Sequence, residues 1–194
     1  MNSGHFFAVV SRMKFITRWG LMRNTRPENL EEHSLEVAIL AHALAVIKNR
    51  RFHGNVDADH IAVLAMFHDV SEIYTGDLPT PVKYHDDELV AAYKKVESLS
   101  AKKLLNFLPE DLRGDYRGLI LQEEPDDNLW KIIKAADKLS ALIKCLEEEK
   151  AGNSEFKKAA SAQIEYLKEM RLPEVDCFMK EFLPSFRLTL DELG

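Results

Sequence analysis

Apolar residues recur along this chain at intervals of three and four, the spacing that gathers them on one face of an α-helix. Phe6, Val9, Val10, Met13 and Ile16 form the first such run and predict a helix ending near Thr17. From Arg18-Trp19-Gly20 through Arg23, Arg26 and Pro27 the period is lost, and the stretch reads as a basic loop. Val37, Leu40, Ala41, Leu44 and Ile47 then mark the inner side of a helix from about Leu30 to Asn49. A third helix begins after Asp57, a suitable N-cap, and carries Ile61, Leu64, Ala65 and Phe67 up to His68-Asp69. Thr75-Gly76-Asp77-Leu78-Pro79-Thr80-Pro81 cannot be regular helix, because two prolines and a glycine interrupt it. Further helices are expected over 86–107, 110–122, 127–150, 153–170 and 174–183, with Asp126 or Asp127 capping the third of these. Only Phe186-Arg187-Leu188-Thr189-Leu190 alternates as a strand would, and it is short enough to be a tail. The expected fold is all-α, a single domain over residues 1–194 without linkers between modules.

Composition narrows this little. At 194 residues, 46% hydrophobic and 30% charged, the chain can bury a core without staples. Its net charge of −6 lacks the basic footprint of a nucleic-acid polymer binder, yet leaves room for a small phosphorylated substrate. Cys145 and Cys177 have neither disulfide-framework nor zinc spacing. The apolar run Phe6–Val10 is soon interrupted by Arg12 and Lys14, so no signal peptide is expected. No apolar run reaches the length of a membrane span. A cytoplasmic location follows as the expectation.

Chemistry concentrates at a few positions. An adjacent His68-Asp69 is weak on its own, since a surface hydrogen-bonding doublet is the commoner meaning of such a pair. Here it follows seven uncharged residues, Ile61 to Phe67, so ionisable groups arrive at a core and need partners or a metal. Glu72 stands four residues after His68 and three after Asp69, which places it on the same helix face. His33 precedes another apolar face. Asp137 falls on a stripe with Ile133 and Ala141, where an isolated carboxylate would be costly. Imidazole and carboxylate together suit Mn, Co, Fe, Ni or Zn better than Mg.

The order His33, His68-Asp69, Asp137 on an all-α chain resembles the HD-domain metal-dependent phosphohydrolases. The likeness is closest to their bacterial 5′-deoxynucleotidase branch. It is carried by Glu31-Glu32-His33-Ser34-Leu35, Met66-Phe67-His68-Asp69-Val70-Ser71-Glu72 and Thr75 to Lys83. Arg18-Trp19, Met22-Arg23-Asn24 and Pro184-Ser185-Phe186 extend it over nearly the whole chain. The resemblance implies an HD-domain helical bundle with its metal-binding region at about 30–145. It also implies one divalent cation (Co, Mn, Zn or similar) on His33, His68, Asp69 and Asp137, and a homodimer. By the same resemblance, Glu72, Asp77 and Arg18 are catalytic. Substrate contacts fall to Arg18, Trp19, His33, Asp77, Leu78, Pro79, Thr80 and Asp137, with Trp19 against the deoxyribose. The implied reaction is hydrolysis of deoxyribonucleoside 5′-monophosphates to deoxynucleoside and phosphate, against ribonucleotides and with broad base tolerance.

Plainer readings stand beside these. Glu72 could be a solvent-facing helix carboxylate, Asp77 a turn residue after Gly76, Arg18 an exposed helix-end cation and Trp19 core packing. His42 is half a helical revolution out of phase with His33, and His60 is about 12 Å from His68 along a helix. His5, His53 and His85 are expected away from the metal, which favours one ion over two. Lys83, Arg23 and Arg26 read as surface charges or contributors to the local field, and Glu147-Glu148-Glu149 and Asp191-Glu192 as solvated surface. Competing functions are hydrolysis of nucleoside triphosphates or cyclic nucleotides, and a non-catalytic helical interaction protein with a structural metal. The first lacks a basic cluster for a triphosphate; the second has no use for Arg18 or Glu72.

Overall fold

The computed structural model, which describes residues 4–83, 85–123 and 126–194, is a succession of helices. They are α1 (Phe6–Val10), α2 (Leu30–Arg51), α3 (Ala58–Met66), α4 (Glu72–Thr75) and α5 (Thr80–Lys83). After them come α6 (Asp87–Leu105), α7 (Arg113–Leu121), α8 (Asp127–Lys150), α9 (Lys157–Glu169) and α10 (Pro173–Glu181). Among the described residues there is no β-strand, only an isolated antiparallel bridge between Thr17 and Asn29. The all-α expectation holds, and the alternating segment 186–190 runs from the end of one short 3-10 turn, Leu183–Arg187, to the start of another, Leu190–Glu192.

Several boundaries follow from local chemistry. Asn29 Oδ1 accepts from the N–H groups of Glu31 and Glu32 at 3.0 Å each, and Glu32 Oε2 accepts from the Asn29 N–H at 3.3 Å. This reciprocal cap, with two acids in the first turn, fixes where α2 begins. Asp57 caps α3 by accepting from the His60 N–H at 2.9 Å, and Asp126 caps α8 by accepting from Asn128.

Three local expectations are corrected. The first predicted helix is α only to Val10 and tightens to a 3-10 turn over Ser11–Phe15. Next, α3 ends at Met66, so His68 and Asp69 stand on a turn and not on a helix. There the backbone bonds run three residues back, from Val70 to Phe67, Glu72 to Asp69 and Tyr74 to Ser71. That spacing winds the chain more tightly than an α-helix does. Finally, the break predicted through Pro81 ends sooner: α5 begins at Thr80, because a helix tolerates proline in its first turn.

Packing divides the chain into two units. One comprises Met1–Arg23, Pro27–Ser34 and Met66–Pro125; the other comprises Asn24–Arg26, Leu35–Ala65 and Asp126–Gly194. The first is built around Phe6, Met13, Leu30, Val70, Leu104, Leu108 and Ile120. In the second, α8 packs along α9, and its apolar residues from Ile132 to Leu146 are buried. Its stripe on α2 is buried as the period requires, with Val37, Ala41 and Leu44 fully covered.

Candidate metal and phosphate site

At the start of α2, one turn before Val37, His33 is 1% exposed. The turn after α3 brings His68 and Asp69 to it. His68 Nε2 is 3.0 Å and His33 Nε2 3.8 Å from the same oxygen, Asp69 Oδ2. The two imidazole rings are 5.3 Å apart between centroids. Gln122, at the left-handed end of α7, donates to the His68 carbonyl at 2.6 Å and so ties that turn to a second element. Two imidazole nitrogens and a carboxylate oxygen, mutually within 4.8 Å, form a donor set suited to a divalent transition metal. Among the described residues this is the cluster that could hold an ion, and it contains none of His5, His42, His53, His60 or His85. His42 lies instead 3.6 Å from Asp59.

Arg18 adjoins the cluster. Its Nη1 is 3.9 Å from Asp69 Oδ2 and 3.7 Å from Asp77 Oδ1, while its Nε donates to Glu28 Oε2 at 3.1 Å. Trp19 donates its indole N–H to that same Glu28 oxygen at 2.8 Å. The tryptophan backbone is left-handed, with φ of 60°, and its N–H is hydrogen-bonded to Asp77. The Asp77 carboxyl is pushed up by burial and by the charge of Asp69, against the pull of Arg18 and the Trp19 N–H.

Glu72, at the start of α4, is 4% exposed, and its Oε2 has no hydrogen-bond partner. Burial, then the charges of Asp69 and Asp77, push its carboxyl up to about 9. The plain reading as a solvent-facing carboxylate is therefore excluded. Lys83 faces it at 3.5 Å from Oε1 and is paired with Glu97 at 3.2 Å, its ammonium 4.7 Å above the Tyr93 ring. Lys83 is thus a partly buried counter-charge, the local field contributor of the two readings offered for it.

The remaining positions are more dispersed. Leu78 and Pro79 are half-buried beside Asp77 in the loop after α4, and the Thr80 side chain lies outside the described residues. Asp137 belongs to the second unit, on α8, where its Oδ2 takes Lys134 at 3.0 Å and Lys138 at 3.3 Å. Its burial agrees with the stripe on which it was placed. Glu28 and Gln122 were missed from the sequence. Glu28 immediately precedes the α2 cap, which is the one local hint that it is held in place.

The helical fold, with His33 and the adjacent His68-Asp69 drawn to one point, is that of the HD-domain phosphohydrolases. An HD-domain phosphohydrolase from Listeria innocua superposes with a TM-score of 0.81 at 26% identity, covering 94% of this chain and 88% of that one. More narrowly, this chain belongs to the 5′-deoxynucleotidase YfbR-like family, whose model matches residues 5–186. A 5′-deoxynucleotidase of Pectobacterium atrosepticum is 52% identical over 100% of this chain and 98% of its own length. The fold is shared further with a cyanophage S-2L HD phosphohydrolase bound to dA and one catalytic Zn2+ ion, at a TM-score of 0.66 and 21% identity, covering 94% of this chain and 96% of that one. No helix among the described residues is long and apolar enough to cross a membrane.

Proposed function

We propose that this protein hydrolyses deoxyribonucleoside 5′-monophosphates to deoxynucleoside and inorganic phosphate, discriminating against ribonucleotides and tolerating several bases. The observation that carries the reading is the placement of Arg18, a planar phosphate-binding fork, against Asp69 of a cluster suited to a metal. Full-length identity of 52% to a 5′-deoxynucleotidase supports the same substrate class.

In this reading His33, His68 and Asp69 hold one divalent cation. Asp137 is the fourth ligand, a role that rests on the family resemblance. When bound, the cation supplies Lewis-acid polarisation of the phosphoryl group and a lowered pKa for water. Its identity lies among Co, Mn, Zn and similar ions, and the zinc of the cyanophage relative fits that set. Arg18 grips phosphate oxygens. Glu72, buried beside Asp69, manages the proton of the attacking water, and Asp77 faces the sugar and its departing oxygen. Trp19, Leu78, Pro79 and Thr80 line the nucleoside, with Trp19 crowding a 2′-hydroxyl.

Both packing units form one HD-type domain in this proposal, since the family model runs through residues of each. The protein acts as a cytoplasmic homodimer. Leu35, Ile39 and Val46 support the pairing as an exposed apolar stripe on α2. Light scattering of the purified protein tests that part.

For the activity, chelator-stripped protein is supplied with Co, Mn, Zn or Mg and offered deoxy- and ribonucleoside 5′-monophosphates. Metal-dependent phosphate release that favours the deoxy substrates is expected. No release with any metal, despite metal binding, overturns the assignment.

A further inference from the structure

We infer that Glu28, through a single carboxylate oxygen, positions both the phosphate-gripping arginine and the sugar-facing tryptophan, linking substrate affinity to sugar discrimination. The inference rests on the roles proposed above for Arg18 and Trp19.

Glu28 Oε2 accepts from Arg18 Nε at 3.1 Å and from the Trp19 indole at 2.8 Å. The Glu28 and Arg18 side chains are largely covered, at 13% and 10% exposure, and Trp19 is half-buried. The anchor itself is fixed by the backbone. Arg18 N–H donates to the Glu28 carbonyl at 2.9 Å, Thr17 bridges Asn29, and Leu30 N–H donates to the Ile16 carbonyl at 2.9 Å. Asn29, next to Glu28, caps the helix that carries His33. The arginine and tryptophan are thereby referenced to the same helix start as a proposed metal ligand.

The chemistry of the two donors explains what this arrangement does. A guanidinium presents its N–H groups in a rigid fork, so a carboxylate on the Nε edge leaves the terminal edge aimed elsewhere. Here the terminal Nη1 points to Asp69 and Asp77. An indole has one donor and no acceptor, so satisfying its N–H pins the ring plane. Trp19 also holds a left-handed backbone, a conformation that persists only where surrounding contacts over-determine it. Glu28 lies outside the metal-capable cluster and acts through its two neighbours. It is a positioning residue.

The test compares Glu28→Gln and Glu28→Asp with the parent protein, with Arg18→Ala as a reference. The Trp19 signal is read in a Trp130→Phe background, because the chain has two tryptophans. For Glu28→Gln the KM for a deoxynucleoside monophosphate should rise about tenfold, and the deoxy-to-ribo ratio of kcat/KM should fall about tenfold. Trp19 emission should shift, while kcat and the thermal shift on adding cobalt stay near parental values. Glu28→Asp, which keeps the charge but shortens the reach, should recover part of each loss.

A folded glutamine variant with parental KM, sugar preference and Trp19 emission overturns the inference. If that variant does not fold, the aspartate variant decides by the same three readouts. A failure of the functional reading looks different: Arg18→Ala leaves KM unchanged and the parent shows no sugar preference. In that case shifted Trp19 emission in Glu28→Gln still upholds the hold of Glu28 on the indole, and unchanged emission removes it.

Discussion

His68 Nε2 meets Asp69 Oδ2 at 3.0 Å although the two residues are adjacent in the chain, and His33 Nε2 reaches the same oxygen at 3.8 Å. One carboxylate oxygen thus collects two imidazoles from two elements, which a surface doublet would not do. If the three form a metal site, the ion binds the native state and not the unfolded chain, and must stabilise it by mass action. Cobalt or manganese at about a hundred times its dissociation constant should add about 2.7 kcal/mol to the parent protein. Asp69→Ala should lose that gain together with roughly a thousandfold or more of the activity, since metal assistance is worth several kcal/mol. Thermal denaturation with and without metal, beside phosphate release, checks both halves. Retention of the metal-induced shift in Asp69→Ala would falsify the ligand assignment.

Glu72 gives a pH dependence with a definite sign. In the metal-free protein its carboxyl is pushed up to about 9 by burial and by Asp69 and Asp77, whereas an unfolded chain releases that proton near pH 4. As pH rises between those values the native state retains a proton that the unfolded state has lost, so stability falls. Below pH 4 the penalty is absent, and above 9 it is constant. Glu72→Gln cannot ionise and should therefore gain on the parent with rising pH, by a few kcal/mol between pH 5 and 8. Urea midpoints of metal-free protein across that range measure the gap. A gap that stays flat means the carboxylate is ionised throughout, and the idea fails.

What was legible in the sequence was whatever a three-four spacing encodes. The stripes of α2 and α8, the caps at Asp57 and Asp126, and the buried setting of Asp137 follow from residues within one helix. The turn carrying His68 and Asp69 did not, because a 3-10 winding accepts the same residue types as an α-helix and differs only in its hydrogen bonds. Charged residues were misjudged when their partners were remote. Glu148 sits in a run of three glutamates that reads as solvated, yet it is 1% exposed, held by Thr25, Lys144 and Asn153. Thr25 lies 123 residues away, and no local pattern announces it. Glu28 was obscured for the same reason.

Burial should raise the Glu148 carboxyl, but hydrogen bonds from Lys144, Thr25 and Asn153 hold it well below the usual carboxylate range. Lys144 also donates to the Arg26 carbonyl, so the pair fastens the Asn24–Arg26 segment to α8. Glu148→Ala would leave a buried ammonium uncompensated and should cost about 3–5 kcal/mol at neutral pH. Because the native pKa is depressed, the contribution is present above the ordinary carboxylate range and lost as pH falls through the native value. The penalty of the variant should accordingly shrink in acid. Replacing both partners, Lys144→Met with Glu148→Leu, should recover most of the loss at pH 7. Denaturant titrations of the three proteins at pH 7 and pH 3 decide the matter.

Trp19 combines a strained backbone with its proposed role as a wall against the sugar, and two substitutions separate these. A left-handed backbone costs an ordinary side chain about 1–2 kcal/mol and costs glycine almost nothing. Trp19→Gly should therefore be more stable than Trp19→Ala by about 1 kcal/mol, opposite to the order found within a helix. Both remove the indole and its bond to Glu28, so both should lose the preference for deoxynucleotides by a factor of about ten to a hundred. Urea unfolding gives the first comparison, and kcat/KM for paired deoxy- and ribonucleoside monophosphates gives the second. Alanine at least as stable as glycine would mean that the φ of 60° does not persist in solution. An unchanged sugar preference in both variants would instead remove Trp19 from the discrimination and shift it to the loop of Asp77, Leu78 and Pro79.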